Sequence, residues 1–468
     1  MERNTRIICT LGPRTNNEEG ITSLIKAGAN VFRMNMSHAQ HDQCREVAQI
    51  IRRVAREHNR YVGILVDLQG PSIRTGNLEE DWQLEVGDTV EFRLASAEAK
   101  QKFSTTVNYE AMMQDIQAGK ELVVDNGNIL MNIDSVDAER ATCTVKTAAK
   151  MTSRRHINLP GTALNLPALT EKDLSDLEFA CEIEADFIAG SFVRDAEHVN
   201  QLRAKMEEFG GSAVIVSKIE DQQAIKNIKD IIKATDVIMV ARGDLGIEIH
   251  VEELPVIQRK IVKDCHEIGR RVIVATHMLE TMIDNPTPTR AEVTDVANAI
   301  FEGADAIMLS GETAVGKYPD RCVEIMDKIS KKIETSSHTM EFEKGNPLIT
   351  DRERTVNAAV TLAESHQDSA LVVFTRRGIM ANHVALRRPK GKQIFAFTED
   401  EAVCRKLALS KGIKPIQIEF SSNPEETQKT AETYLIENGL ISKGSTVVIV
   451  SDIFQEEVKA DSVLFRQV

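Results

Sequence analysis

Eight short apolar runs, most of them separated by stretches with apolar residues at helical spacing, limit what this chain can fold into more than any other feature. The runs are Ile7–Leu11, Val31–Ser37, Tyr61–Asp67, Ala185–Phe192, Ala213–Glu220, Asp236–Ala241, Arg271–Met278 and Ala306–Ser310. Near-continuous hydrophobicity is what a strand covered on both faces requires, and crossover helices between parallel strands supply that cover. Eight such units predict an α/β fold built on a closed (β/α)8 TIM barrel rather than an open sheet. Thr170 before Glu171-Lys-Asp173, and Thr289 before Arg290-Ala-Glu292, resemble capping boxes at helix starts.

One connection breaks the pattern. Between Thr75 and about Arg154 the helical spacing gives way to short strands at Trp82–Val86, Thr89–Leu94, Glu121–Val124, Ile129–Ile133 and Ala141–Val145, with Asp125-Asn-Gly127 as a tight turn. This predicts a small β-barrel domain, residues 76–154, inserted after the third strand of a barrel made of 1–75 and 155–340. Beyond a linker at Glu343-Lys-Gly-Asn-Pro347, a C-terminal α/β domain is expected over 341–468. Its expected elements are helix 355–366, strands 370–375 and 393–398, helix 400–411 and strand 446–450. No internal sequence repeat is evident.

Composition excludes several classes. A net charge of −14 argues against nucleic acid as a partner. No apolar stretch approaches the roughly 18 residues of a membrane span, and the opening Met1-Glu-Arg-Asn-Thr-Arg-Ile-Ile8 runs almost directly into a strand. Seven cysteines stand singly, without a Cys-x-x-Cys pair, which points to reduced thiols and away from zinc. A cytoplasmic protein is expected.

In such a barrel the loops after the strands converge on one face. Six runs end there in polar groups: Arg33-Met-Asn35-Met-Ser37-His38, Asp67-Leu-Gln-Gly-Pro-Ser-Ile-Arg74, Ser217-Lys218-Ile-Glu220, Arg242-Gly243-Asp244, Thr276-His277 and Ser310-Gly-Glu312-Thr313. Period-two geometry points Lys218 and Glu220 together into the mouth and turns Ile219 to the helix layer. Glu220 and Asp244, hard oxygen ligands on neighbouring strands, suit Mg²⁺ completed by substrate oxygens and water. Lys218 and Arg33 add positive charge, and a metal with Lys and Arg can stabilise a phosphoryl group in transfer. Gly243 admits close approach of a ligand, and the N–H groups starting the next helix can hold an anion. Taken singly, each feature has a structural reading: an ion pair for Lys218–Glu220, a salt bridge for Arg242, a loop cap for Glu312, a satisfied loop histidine for His38. Six together favour a site. Gly311-Glu-Thr-Ala-Val-Gly316-Lys317 imitates a P-loop, but Tyr318 stands where Ser or Thr is needed.

These residues lie in segments by which the chain resembles the pyruvate kinase family. The segments are Cys9-Thr-Leu-Gly-Pro13, Asn30-Val-Phe-Arg-Met-Asn-Met-Ser-His38, Gly70-Pro-Ser-Ile-Arg-Thr-Gly76, Asn158-Leu-Pro-Gly161, Leu166-Pro-Ala-Leu-Thr-Glu-Lys-Asp173, Ser217-Lys-Ile-Glu220, Ile238-Met-Val-Ala-Arg-Gly-Asp-Leu-Gly246, Ala275-Thr-His-Met-Leu-Glu280, Pro288-Thr-Arg-Ala-Glu292 and Met308-Leu-Ser-Gly-Glu-Thr-Ala314. The resemblance implies phosphoryl transfer from phosphoenolpyruvate to ADP, giving ATP and, after protonation of enolpyruvate at carbon, pyruvate. It implies Mg²⁺ (or Mn²⁺) held by Glu220 and Asp244, and K⁺ held by Asn35, Ser37, Asp67 and the carbonyl of Leu68. Lys218 would stabilise the phosphoryl in flight, Arg33 would contact phosphate, and Gly243, Asp244 and Thr276 would hold the substrate. Thr276 would also serve the proton path, and Asn35, His38 and Arg74 the nucleotide. A homotetramer, and a lid that excludes water, complete the implied picture.

Three positions depart from the family pattern. Asp195 stands where many members have a lysine near the nucleotide, and Ser72 where they carry Glu or Lys. Thr375-Arg-Arg-Gly-Ile-Met380 replaces a Ser/Thr-rich phosphate loop. Two rival readings remain at this point: an Mg²⁺-dependent aldolase or lyase handling pyruvate enolate, and an inactive regulatory relative.

Overall fold

The computed structural model describes residues 2–125, 127–162, 164–336, 348–455 and 458–468, with side chains for all of them except 452–455 and 458–460. The expected linker 343–347, the boundary at 341 and Asn126 of the expected turn lie outside the described residues. Eight parallel strands close into the barrel: β1 (Arg6–Thr10), β2 (Val31–Asn35), β3 (Gly63–Asp67), β4 (Phe187–Gly190), β5 (Val214–Ile219), β6 (Val237–Ala241), β7 (Arg271–Ala275) and β8 (Ala306–Leu309). Ile8, Val31, Leu65, Phe187, Val216, Val237, Ile273 and Ala306 fill its interior. Their neighbours Ile7, Phe32, Ile64, Ile188, Ile215, Ile238, Val272 and Ile307 pack outward against the helices, the alternation that a pleated strand imposes. Both expected capping boxes form, with Asp173 answering Thr170 and Glu292 answering Thr289.

The closed end of the barrel carries a repeat that no stretch of sequence advertises. The residue before each even-numbered strand accepts the backbone N–H of the second residue of the preceding odd strand. Asn30 Oδ1 takes Ile7 N at 3.0 Å, Asp186 Oδ2 takes Ile64 N at 2.8 Å, Asp236 Oδ2 takes Ile215 N at 3.0 Å and Asp305 Oδ2 takes Val272 N at 2.9 Å. The repeat is fourfold and structural, and it leaves the absence of a sequence repeat standing. One residue per quarter carries it, too sparse to register as sequence similarity.

The inserted segment forms a six-stranded sheet that adds Phe103–Thr106 and Ile157–Asn158 to four of the expected strands, beside a separate pair, Trp82–Leu84 with Ala149–Met151. Its pairing thus reaches Asn158, past residue 154. The hinge is fastened by bridges from Arg74 to His156 and from Thr75 to Val107. The C-terminal sheet has five strands, Ser369–Phe374, Ile394–Thr398, Ile413–Gln417, Thr446–Gln455 and Val458–Gln467. The third and fifth of these were not expected; Pro415 interrupts the third, which as an edge strand tolerates the missing N–H.

This C-terminal unit docks on the closed end of the barrel through buried charge. Asp186, 1% exposed, receives Arg405 at 3.0 Å and Arg52 at 2.8 Å, while Asp305 receives Arg388 at 2.9 Å. Asp186→Ala would strand two guanidinium groups as well as Ile64 N–H, so a loss of about 3–5 kcal/mol is expected. Asp236→Ala frees only the half-exposed Arg203 and one strand N–H, and its expected cost is about 1 kcal/mol. Urea unfolding followed by circular dichroism checks both; equal midpoint shifts would contradict the assignment.

Candidate active site

The inward parity that packs Val31, Leu65 and Val216 places Arg33, Asp67 and Lys218 one step higher, at the mouth. There they form a continuous charge cluster. Arg33 Nε donates to Asp67 Oδ2 at 2.6 Å, and its Nη1 to Thr10 Oγ1 at 3.1 Å. Lys218 Nζ lies 2.8 Å from Glu220 Oε1 and 3.4 Å from Asp67 Oδ1, and donates to Ser191 Oγ at 2.7 Å. Burial pushes the Asp67 carboxyl up, but Lys218 and Arg33 outweigh it and hold it below its usual range. Burial disfavours the Lys218 ammonium, yet Asp67 and Glu220 keep it firmly protonated. For Glu220, burial raises the pKa, Lys218 opposes and Asp244 adds, leaving it above the usual carboxylate range.

Glu220 is also aimed by backbone: its Oε2 accepts the N–H of Phe192 at 2.6 Å, and Phe192 is left-handed at φ 52°. Asp244 stands in the first turn of helix Arg242–Glu248, which has no side-chain cap. The N–H of Gly243 is taken by Thr276 Oγ1 at 2.7 Å, so one of the donors expected at this helix start is committed to the protein itself. Among the described residues no group of three or more His, Cys, Asp or Glu is arranged to cage a metal. A pair such as Glu220 and Asp244 leaves positions for substrate oxygens and water.

The β2 and β3 ends lie beside this cluster. Asn35 Oδ1 accepts from Ser37 N at 3.2 Å, and the carbonyl of Leu68 accepts Ser191 Oγ at 2.8 Å. Asp67 Oδ1 is buried without a hydrogen-bond partner. His38 is exposed on the β2 loop, away from these bonds. Arg74 sits at the lid hinge, where Nε reaches Ser72 Oγ and Nη1 reaches the carbonyl of Arg154, both at 3.2 Å. Asp195 is the N-cap of helix Ala196–Glu208. Glu312 accepts from Leu279 N at 3.0 Å and Ser310 N at 2.7 Å, the loop cap expected of it.

Two groups in the cluster were missed. Ser191 joins Lys218 to the Leu68 carbonyl, and Thr10 receives Arg33. Both stand at the ends of β4 and β1, and the strand-end rule applied to all eight strands would have found them. Nearby, Gly70 at φ 72° is obligatory, since a Cβ there would lie 2.7 Å from that of Ser191.

The chain matches known proteins along most of its length. Residues 2–323 match the family model for the pyruvate kinase barrel domain, and 353–463 that for the pyruvate kinase alpha/beta domain. Plastidial pyruvate kinase 2 of Arabidopsis thaliana is 38% identical over 453 residues, covering 96% of this chain and 78% of that one. Pyruvate kinase of Clostridium acetobutylicum is 37% identical over 455 residues, with 96% of each chain covered. Pyruvate kinase of Staphylococcus aureus is 35% identical over 464 residues, covering 96% of this chain and 78% of that one. The aldolase and inactive-relative readings are set aside: the chain belongs to the pyruvate kinase family, glycolytic phosphotransferases that convert phosphoenolpyruvate and ADP to pyruvate and ATP.

Proposed function

We propose the following division of labour in that reaction, and the cluster of Arg33, Asp67, Lys218 and Glu220 at the barrel mouth carries it. Lys218, buried and held protonated, stabilises the phosphoryl group as it moves, and Arg33 contacts the phosphate from the opposite side of Asp67. Gly243, Asp244 and Thr276 hold the substrate's carboxylate end, and the Thr276 hydroxyl serves the proton path to the enolpyruvate carbon. Asn35, His38 and Arg74 bind the nucleotide, and the inserted domain (76–154) closes over it to exclude water.

Glu220 and Asp244 fit Mg²⁺ (or Mn²⁺), which would supply charge neutralisation to the phosphoryl group in transfer. Asp67 Oδ1, which has the Lys218 ammonium at 3.4 Å but no hydrogen-bond partner, fits K⁺ beside an anionic substrate together with Asn35, Ser37 and the Leu68 carbonyl. Seven unpaired cysteines and the absence, among the described residues, of a helix long and apolar enough to cross a membrane support a cytoplasmic setting. Exposed Leu464 and Phe465 on the C-terminal edge strand, and Val251 and Val256 after β6, support assembly as a homotetramer. The division into 1–75 with 155–340, 76–154 and 341–468 belongs to the same proposal, with the sheet of the insertion reaching past 154 to Asn158.

Lys218→Met removes an interaction made mainly in the transition state, so kcat for phosphoryl transfer should fall by at least about 10³-fold. Exchange of pyruvate methyl protons should suffer far less; near-normal phosphoryl transfer would remove Lys218 from this role.

Ser72 carries no charge to stand in for a cation, and the nearby Lys172 ammonium is held by the Met36 carbonyl at 2.8 Å and Asp176 at 2.6 Å. Replacing K⁺ by tetramethylammonium at constant ionic strength and saturating Mg²⁺ should therefore slow turnover. Equal rates in the two buffers would contradict the K⁺ site.

Fructose 1,6-bisphosphate needs several convergent donors, but the one hydroxyl in Thr375–Met380 belongs to Thr375, which is 3% exposed. The phosphoenolpyruvate saturation curve should not shift when the bisphosphate is added.

A further inference from the structure

Two consecutive non-glycine residues at the end of β7 are left-handed, Thr276 at φ 70° and His277 at φ 52°. A β-branched residue in that region is an outlier, held only where its surroundings over-determine it. One side chain grips all three carbonyls of this turn. Arg242 Nε donates to the carbonyls of Ala275 at 3.3 Å and Thr276 at 3.2 Å, and Nη2 to those of Thr276 at 2.5 Å and His277 at 3.3 Å. On the other side, Nη1 is braced by Asp295 at 2.7 Å and Gln258 at 3.5 Å. Gln258 is itself fixed by Glu302 at 2.7 Å. Arg242 is 7% exposed, and all three of its guanidinium nitrogens are engaged within the protein.

We infer that Arg242 is a positioning residue for the reaction, fixing the Thr276 hydroxyl relative to Asp244 through the carbonyls of the β7 turn. Its main chain opens the helix that carries Gly243 and Asp244, and its guanidinium clamps the facing turn. The two substrate-binding loops are thus registered by one residue. The hydroxyl is located by two bonds that depend on that register: it accepts Gly243 N at 2.7 Å and donates to the Ala275 carbonyl at 2.6 Å. Release of the clamp lets the turn relax to negative φ, which carries Oγ1 away from Gly243. Lysine cannot replace it, because an ammonium has no planar fork to span three successive carbonyls. The kinetic part of this inference rests on the proposed role of Thr276.

The test uses the full-length enzyme as Arg242→Gln, Arg242→Lys, Thr276→Val and Arg242→Gln/Thr276→Val, with melting temperatures to confirm folding. Displacement of a reacting group by about an ångström costs on the order of 10²-fold. Arg242→Gln should therefore slow pyruvate methyl-proton exchange by about that factor, but by less than about threefold when Thr276 is already valine, because neighbours acting through one group are non-additive. Arg242→Lys should recover little. Full cost in the valine background would overturn the coupling. A crystal structure of Arg242→Gln, or of Arg242→Lys where the glutamine variant fails to fold, separates the two claims. Unchanged positive φ at Thr276 and His277 overturns the positioning role whatever the kinetics. A relaxed turn upholds it even where Thr276→Val leaves exchange intact and so removes Thr276 from the proton path.

Discussion

Asp67 is the constraint on which the barrel mouth depends. Arg33 and Lys218 both need to face the same small volume, and each disfavours the other's charge there, as the effect of Arg33 on Lys218 records. A single carboxylate, 1% exposed, stands between them at 2.6 Å from one and 3.4 Å from the other. Removing one partner from a buried charge cluster costs far more than any surface pair contributes. With Glu220 and Asp244 included, three carboxylates face two cations, so the protein alone leaves one negative charge in excess. A phosphorylated carboxylate cannot approach such a mouth favourably without further cation charge, which the metal ions proposed above would supply.

The sequence made this cluster legible because a strand has only two faces. Once Val216 is assigned inward, Lys218 and Glu220 must follow it and Ile219 must not; the outward packing of Ile219 with the helix layer agrees. The same parity places Arg33 above Val31 and Asp67 above Leu65. Ser191 and Thr10 are strand-end residues too, but uncharged ones, and their importance lies in whom they touch. Ser191 matters because a lysine from β5 and a carbonyl after β3 both reach it, and no local pattern encodes a meeting of three strands. Arg242 was legible as the owner of a salt bridge, which Asp295 supplies. Its three carbonyl partners were not, because they belong to a turn whose backbone had been expected to remain extended as far as Met278.

The outer domains were less legible for a related reason. Barrel strands announce themselves by burial on both faces, whereas Phe103–Thr106 and Ile413–Gln417 lie at sheet edges, where half-buried, polar or proline-containing segments suffice. Ile157–Asn158 was assigned to the barrel by its position in the chain, yet its hydrogen bonds go to Val123–Val124 of the insertion. Asn158 then reaches back to Glu248 at 2.9 Å. Burial raises Glu248 to about 7, so this lid-to-barrel contact is made to a carboxylate that is costly to ionise. The short strand belongs to the insertion by backbone and to the barrel by side chain.

The two ends of the barrel solve opposite problems with the same backbone. At the closed end, Asn30, Asp186, Asp236 and Asp305 staple each even strand to its predecessor while the chain stays extended, and two of the four carry the arginines of the C-terminal unit. At the open end, the strands that bring chemistry stop early. Phe192 leaves β4 left-handed so that its N–H aims at Glu220, and Thr276 leaves β7 left-handed so that its hydroxyl meets Gly243. A main-chain N–H or a side chain can be turned into the barrel axis only where the ladder no longer claims that backbone. The unfavourable φ values therefore cluster where the sheet ends and the site begins, and the regular, charge-stapled floor is what lets the mouth sustain them.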